Sequence, residues 1–286
     1  MQIGVSSYSY SKYHIDGLEI VKKAAEMGFK NIEFSGLPLL PEGIEPLVYA
    51  GMIKEACDEA NIQIVNYAVG ADFINNGLEN EIERLKEEVK IAFALGAPFM
   101  RHDATYGFSQ DYHGPRGFDD ALPVLIKGYR AVTEYAQDMG IKTMVENHGF
   151  FCQDSDRVEK LINGVNHTNF GLLLDIGNFL CVDENPAVAV GKLLPYVFHV
   201  HVKDFHVKSG MLPNPGDGWF KSRGGNYLRG AVIGHGDVPV VQCLKLLRAY
   251  GYDGVLSIEF EGIEDPALAI NIGRDNLERY LHIQRQ

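Results

Sequence analysis

The chain has 286 residues, of which 46% are hydrophobic and 22% charged, and its formal net charge is −12. This composition is typical of a folded globular protein and excludes extended disorder. The acidic balance also excludes partners that require clustered Lys and Arg, so we expect no nucleic-acid partner and no anionic membrane partner.

Short β-rich runs alternate with helix-period segments along the whole chain. Strands are predicted at residues 2–7, 30–34, 62–67, 98–102, 142–146, 170–175, 197–202 and 254–260. Helices are predicted at residues 16–27, 45–60, 78–95, 118–139, 154–162, 186–194, 240–250 and 266–281. Eight strands that alternate with eight helices are typical of a closed (β/α)8 barrel, which commonly forms one domain of about 250 residues. We therefore predict an α/β protein with a single TIM-barrel domain over residues 1–286.

Turn residues support this interpretation. Four predicted helices are followed by glycines that suit a left-handed helix end, at Gly28, Gly96, Gly140 and Gly251. Residues 204–237 are rich in Gly, Pro and Asn and are predicted to form a long irregular loop that serves as a lid or a substrate-binding segment. A doubly wound open sheet is the competing architecture. It normally has a glycine-rich phosphate turn after its first strand, where this chain has SSYSYSKYHID.

The cysteines and the start of the chain bear on its compartment. The four cysteines show no CxxC spacing, so we predict free thiols in a reducing environment. No signal segment opens the chain and no apolar run is long enough for a membrane span. Both observations predict a cytoplasmic protein.

Polar residues end the last four predicted strands, after almost purely apolar runs. They are Glu146, Asp175, His201 and Glu259. In a (β/α)8 barrel the active site forms at these strand ends. Three carboxylates meeting there would repel one another unless a cation neutralised them. Each residue alone could be a polar group that caps its strand, but four on successive strands favour a divalent metal site. Three oxygen donors and one imidazole favour Mn²⁺, with Mg²⁺, Co²⁺, Fe²⁺ and Zn²⁺ as alternatives.

The segments VENHG, LLLDIGN, HVHVKD and GYDGVLSIEFEG occur in this order. With them the chain resembles the xylose isomerase-like barrel superfamily, the sugar phosphate isomerase/epimerase group that also includes ketose 3-epimerases and endonuclease family IV. The resemblance implies that the same four residues bind the metal, and that Glu146 and Glu259 face opposite sides of a substrate carbon and transfer its proton. It also implies a homo-oligomer, since barrels of this group often form dimers or tetramers.

The chain departs from that pattern at two positions. The ketose 3-epimerases that it resembles carry a His three residues after the Asp of the sixth strand, where this chain has Asn178, and an Arg soon after the His of the seventh strand, where it has Val207. Endonuclease family IV needs additional metal ligands, and Asn178 again stands where one of them would be. Different substrate contacts are therefore expected, and a DNA-repair role is disfavoured.

Further polar residues near strand ends are candidates for the site. His148 follows Glu146 by two residues and could act as a base, bind a hydroxyl group or be an ordinary loop histidine. His102 ends the fourth strand and is expected to bind substrate on the same reasoning. Lys203 could orient an oxygen bound at the metal or pair with an acidic neighbour. Glu33, at the end of the second strand, could bind substrate, support a metal ligand or form a structural ion pair.

The long segment after the seventh strand offers two more substrate-binding candidates. Trp219 is the only tryptophan of the chain and suits either sugar stacking or loop packing. Arg223 could hold a phosphate, but basic residues in loops are usually just solvated. Because the chain lacks a P-loop motif, a substrate without phosphate is favoured.

These features predict a metal-dependent isomerase or epimerase that acts on a small sugar or related polyol. A divalent metal on a ketose carbonyl and its adjacent hydroxyl would acidify the neighbouring C–H and stabilise an enediolate, and Glu146 and Glu259 would move the proton. The first alternative is a lyase on the same scaffold with His148 as base, either an inosose dehydratase or the catalytic subunit of a carbon-glycoside deglycosidase with a small partner subunit. The second alternative is a sugar-binding barrel without catalysis.

Overall fold

A computed structural model describes residues 1–283 as a closed barrel of eight parallel strands surrounded by eight α-helices, which confirms the predicted (β/α)8 fold. The first seven barrel strands are β1 (Gln2–Ser6), β2 (Asn31–Ser35), β3 (Gln63–Val69), β4 (Phe99–His102), β5 (Lys142–Glu146), β6 (Phe170–Asp175) and β7 (Val197–Val202). The eighth is β11 (Val255–Ile258), because three strands of a separate sheet, described below, lie between it and β7 along the chain. They follow one another around the barrel in this order, and β11 closes it by pairing with β1.

The helices cover the outside of the barrel. They are α1 (Gly17–Glu26), α2 (Pro46–Glu59), α3 (Leu78–Leu95), α4 (Phe118–Asp138), α5 (Ser155–Val165), α6 (Pro186–Leu193), α7 (Val240–Tyr250) and α8 (Pro266–Ile283). The four glycines predicted to end helices all have positive φ, between 69° and 94°. The sequence-based bounds are therefore correct to within a few residues, because periodic apolar faces and glycine caps mark both kinds of element.

Barrel strands are buried on both faces, which explains their near-continuous apolar sequence. Every residue of β6 is buried. Alternate side chains of a strand point into the barrel or out toward the helices. In β5, Thr143 points outward to hydrogen-bond Thr133 of α4 at 2.6 Å, whereas Glu146 points inward to the site described below. The side-chain alternation thus decides which residues at a strand end can reach a substrate.

The predicted irregular loop at residues 204–237 is wrong in part, because much of it is regular. It contains a three-stranded antiparallel sheet of β8 (Asp204–Lys208), β9 (Phe220–Lys221) and β10 (Tyr227–Ala231), in the order β8-β10-β9. The buried carboxylate of Asp204 accepts hydrogen bonds from the backbone N–H groups of Gly234, Gly236 and Val238 at 2.8, 2.9 and 3.1 Å. The Asp204 side chain therefore holds the start of the segment next to its end, beside the barrel.

The four cysteines are free and buried, as the sequence predicts. Within residues 1–283, no helix has both the length and the apolar character needed to cross a membrane.

Candidate metal centre

The four predicted ligands meet at the carboxyl end of the barrel. Glu146 and Asp175 end β5 and β6, His201 lies in β7, and Glu259 follows β11 directly. The Nδ1 atom of His201 lies 3.6 Å from Glu146 Oε1, 3.9 Å from Asp175 Oδ2 and 3.5 Å from Glu259 Oε2. One ligand atom from each residue lies within 4.8 Å of the others. The four side chains could therefore share one ion.

The donor atoms fit a divalent cation. Among the described residues, Asp175 Oδ2 and His201 Nδ1 are buried without a hydrogen-bond partner, an arrangement that costs free energy unless a ligand satisfies them. Burial raises the pKa of Asp175 to about 6, and the nearby Glu259 and Glu146 carboxylates add to this increase against the lowering effect of Lys203. A bound cation would remove both penalties, and three oxygens with one imidazole nitrogen suit Mn²⁺ or Mg²⁺.

The local sequence DIGN orients Asp175. The N–H groups of Gly177 and Asn178 donate to Asp175 Oδ1 at 2.8 and 3.0 Å, which leaves Oδ2 facing the other ligands. Glycine is needed at 177, since a Cβ atom there would lie 2.8 Å from the carbonyl oxygen of Lys203. The turn after β6 thus orients the Asp175 carboxylate. It also allows the chain at the end of β7 to approach closely.

Asn178, one of the two departures from the epimerase pattern, belongs to the site. Its Nδ2 donates to Glu146 Oε1 at 3.1 Å, and its Oδ1 accepts from Lys203 Nζ at 3.3 Å. An amide side chain, rather than an imidazole, thus hydrogen-bonds both the Glu146 carboxylate and the Lys203 ammonium group at this position. Val207, the other departure, lies in β8 and is partly exposed.

Glu33 lies beneath the ligand cluster and is fully buried. Its Oε1 is 2.7 Å from His201 Nε2, although not aligned for a good hydrogen bond, and its Oε2 is 3.0 Å from His199 Nε2. His199 Nε2 is also 2.9 Å from Ser257 Oγ. The structure therefore does not bring Glu33, one of the substrate-binding candidates, to the pocket, because the side chain is fully buried and does not line it. Its contacts suit the other predicted role, support of the outer side of the candidate ligand His201.

Lys203 neutralises the acidic side of the cluster, and it is 4% exposed. Its Nζ lies 2.6 Å from Glu259 Oε2, 3.3 Å from Asp175 Oδ2 and 3.4 Å from Glu261 Oε2. Glu261 was not predicted. It follows Glu259 by two residues and therefore lies on the same side of the chain, which is the signal that could have identified it.

Arg101 and Asp103 are further site residues that the sequence interpretation missed. Arg101 Nη2 bridges Glu146 Oε2 at 2.5 Å and Asp103 Oδ1 at 3.0 Å. Asp103 Oδ1 is also 2.9 Å from Nδ1 of His148. Burial alone would raise the pKa of Asp103, but Arg101 and His148 hold that pKa at about 2. Asp103 is therefore ionised, and it orients a histidine that faces the pocket.

The pocket itself has a volume of about 250 Å³. Besides the ligands and Lys203, its walls carry polar groups on both sides, namely Tyr8, Tyr106, Asp103, His148 and Glu261. A cavity of this size with convergent polar side chains suits a small polyhydroxylated molecule.

Three predicted substrate-binding residues are not brought to this pocket. His102 is fully buried and points away from the barrel interior, where its ring stacks on Tyr129 of α4 at 4.3 Å. Arg223 Nη1 donates to Asp154 at 3.0 Å on the outer surface. Trp219 packs beside the Arg229 guanidinium, 5.5 Å from its ring centroid. The structure therefore does not place these three candidates at the pocket: the His102 side chain points out of the barrel, and Trp219 and Arg223 flank β9 outside the pocket lining.

Comparison with known proteins agrees with this geometry. A family model described as xylose isomerase-like TIM barrel matches residues 21–280. Inosose dehydratase 1 of Bacillus cereus (strain ZK / E33L) is 29% identical over 163 residues, which cover 51% of this chain and 48% of that protein. The inosose dehydratase of Bacillus anthracis (strain CDC 684 / NRRL 3495) is 28% identical over 249 residues, which cover 76% of this chain and 75% of that protein.

The first curated relatives are matched over only part of their length, since the chain spans about half of each. Among solved structures, that of L-ribulose 3-epimerase aligns with a TM-score of 0.75 and 15% identity, and the alignment covers 100% of this chain and 96% of that chain. A likeness at this identity concerns the fold. The family model, in contrast, covers most of the sequence, and the chain therefore belongs to the xylose isomerase-like TIM barrel family.

Proposed function

We propose that the protein is a metal-dependent isomerase or epimerase of a small sugar or related polyol, with Glu146 and Glu259 as the proton-transfer pair. One observation carries this proposal. The two carboxylates end β5 and β11, which are separated by two strands around the barrel, yet both reach within 3.6 Å of the same His201 nitrogen. They therefore approach the space above the ligand cluster from different sides, as proton removal and return on opposite faces of one carbon require.

The charge state of both groups suits this role. Burial opposes ionisation of each carboxylate, but Arg101 and His201 lower the pKa of Glu146, and Lys203 and His201 lower the pKa of Glu259. Both residues are thus carboxylates, the form that accepts a proton. The divalent metal, when bound, would polarise a substrate carbonyl and so acidify the adjacent C–H. Asn178 and Arg101 contact the Glu146 carboxylate, and Lys203 contacts the Glu259 carboxylate. Both side chains are therefore held in position before a substrate binds.

Hydrogen exchange tests the proposal directly. The purified protein with Mn²⁺ is incubated in D₂O with a panel of ketoses, ketose phosphates, keto-inositols and alkyl and aryl keto-glycosides, and deuterium at carbon is followed by NMR. We expect exchange into one substrate, and we expect Glu146→Gln and Glu259→Gln to lower its rate by about 10² or more. Glu81→Gln is the matched control, because Glu81 is a buried carboxylate outside the site, hydrogen-bonded to Arg84 and to the N–H of Asp72. The absence of exchange across the panel would contradict the proposal.

A lyase of the dehydratase type is the second candidate, and the Asp103–His148 pair favours it. His148 Nδ1 contacts Asp103, so its other ring nitrogen is free to act on a substrate at the pocket wall. Inosose dehydratases are also among the relatives of the chain. In this reaction, proton removal beside a carbonyl expels a neighbouring hydroxyl as water.

Product mass separates the two reactions, since an isomer keeps the mass of the substrate and elimination removes one water. If the lyase reaction operates, His148→Asn lowers turnover by about 10² to 10⁴. If an isomerase operates through the two glutamates alone, the same variant leaves exchange into the substrate largely intact.

A further inference from the structure

A second cavity opens beside the metal pocket. It lies between the carboxyl ends of β2 and β3 and the segment of residues 36–45 that leads to α2, and its volume is about 510 Å³, roughly twice that of the pocket at the ligands. The two cavities share wall residues Ser35, Ala68, Gly70 and Arg101, so they are direct neighbours. We refer to the second cavity as the side cleft.

One wall of the side cleft is apolar and partly open to solvent. Leu37, Leu40, Pro46 and Ile91 line it, and Leu40 is 39% exposed. The adjacent Leu39 adopts a left-handed conformation with φ 41°, which a side chain with a Cβ disfavours. Residues 36–45 thus hold an aliphatic surface open to solvent next to a highly polar site.

The charges that line the side cleft are neutralised by neighbouring side chains. Arg84 pairs with Glu81 at 2.8 Å and Glu88 at 3.3 Å, and its Nη2 also donates to the carbonyl of Gly70. Arg101 is paired with Asp103 and Glu146. Among the residues that line the cleft in the described chain, no cation is left unpaired for a phosphate or a carboxylate. The Glu88 carboxylate of the lining is paired as well, with Arg84 and with the Tyr67 hydroxyl, so these residues offer no free counter-charge to either an anionic or a cationic group.

The polarity of the wall also distinguishes between uncharged groups. A second sugar would place hydroxyl groups against leucine, proline and isoleucine side chains, where they lose hydrogen bonds to water. The aromatic lining residue Tyr67 is only 2% exposed, and its hydroxyl is committed to Glu88 at 2.7 Å. An aryl or alkyl group gains from the same wall by burial of apolar surface.

From these observations we propose that the side cleft binds an uncharged apolar substituent of the substrate, an aryl or alkyl group carried by the sugar or polyol whose reacting ring lies at the metal cluster. The substrate class is then a glycoside or ether that also carries the carbonyl needed for proton transfer, rather than a free sugar or a sugar phosphate. The placement of the reacting ring at the metal cluster rests on the proposed function. The preference of the cleft for an apolar group does not. Leu40 is the main specificity-determining residue.

Binding measurements test this assignment without turnover. Phenyl β-D-glucoside and methyl β-D-glucoside are titrated into the Mn²⁺-loaded protein and followed by calorimetry or by saturation-transfer NMR. We expect the phenyl glucoside to bind about 10-fold more tightly, and Leu40→Asp to abolish that difference while the affinity for the methyl glucoside stays unchanged. Leu39→Asp is the matched control, because Leu39 is the neighbouring exposed leucine but does not line the cleft. Leu40→Ser serves as a second variant should Leu40→Asp not fold.

Equal affinity of the wild-type protein for both glucosides, no measurable binding of the phenyl glucoside, or equal effects of the two aspartate variants would each overturn the assignment. A preference for the phenyl group that is retained while no compound of the hydrogen-exchange panel undergoes exchange or elimination would support the cleft and refute the proposed function. The two proposals therefore fail independently.

Discussion

Replacement of Glu33 by Gln should weaken metal binding although Glu33 is not one of the four predicted ligands. The two oxygens of Glu33 face Nε2 of His201 and Nε2 of His199 at 2.7 and 3.0 Å. The negative charge of Glu33 beside both rings favours a proton on Nε2 of His201, and that proton leaves the lone pair of Nδ1 directed at the three carboxylates. An amide carries no charge, so this electrostatic support is lost in the variant.

The expected loss follows from the role of such partners in metal sites. Removal of a carboxylate that supports a ligating histidine typically weakens metal affinity by about 10-fold to 100-fold, or about 1.4–2.7 kcal/mol. Isothermal titration of the metal-free protein with Mn²⁺ measures this directly, and electron paramagnetic resonance of bound Mn²⁺ gives an independent value. Glu81→Gln again provides the control, since its burial is similar and it lies outside the site.

Unchanged Mn²⁺ affinity in Glu33→Gln, with the fold intact by circular dichroism, would refute this reasoning. Glu33 would then be a structural ion-pair residue of the barrel interior, and the orientation of His201 would depend on β7 alone. An equal loss of affinity in Glu33→Gln and Glu81→Gln would likewise assign the effect to general destabilisation.

Other predictions address metal dependence, packing and pH. Mn²⁺ at about 100 times its dissociation constant should stabilise the fold by about 2.7 kcal/mol and raise the melting temperature by about 5–8 °C in calorimetry, an increase that EDTA reverses. Gly230→Ala should destabilise the fold by about 1–3 kcal/mol in urea unfolding, because its Cβ would lie 2.6 Å from the backbone carbon of Glu261, whereas Gly51→Ala in α2, with open space around it, should be neutral or stabilising. His102 has a pKa lowered by burial from 6.5 to about 4, so its contribution to stability is lost as pH falls from 6.5 toward 4. His102→Phe, which keeps an aromatic ring against Tyr129, should remove about 2 kcal/mol of the difference in unfolding free energy between pH 7 and pH 5 and leave metal affinity unchanged.

The barrel, and the meeting of the four candidate ligands at its carboxyl end, could be predicted from the sequence because their signals are local. Each ligand ends an apolar run, and an ionisable residue in that position is difficult to explain as core. Asp175 illustrates this, since five buried residues of β6 precede it. The glycine caps supplied the helix ends in the same way, through a backbone conformation that few other residues adopt.

The supporting residues could not be found by the same reasoning. His102 was chosen because it ends its strand, but the alternation of side chains in β4 directs Arg101 into the barrel and His102 toward the helices. Asp103 acquires its role only through contact with His148, 45 residues further along the chain. The antiparallel strands between residues 204 and 231 are short and rich in polar residues, so their pairing depends on partners that no local pattern reveals.

The carboxylate of Asp204 has a consequence for protein engineering. Because it binds N–H groups at 234, 236 and 238, it fixes the entry and the exit of the three-stranded sheet at one point beside β7. The intervening residues 205–233 could therefore be exchanged as one unit, provided that the replacement keeps their contacts with Asp183 and with the backbone of Glu261. A graft that keeps Asp204 and residues 234–238 should place a different rim on the same barrel. Asp204 is therefore a suitable junction for recombining related barrels.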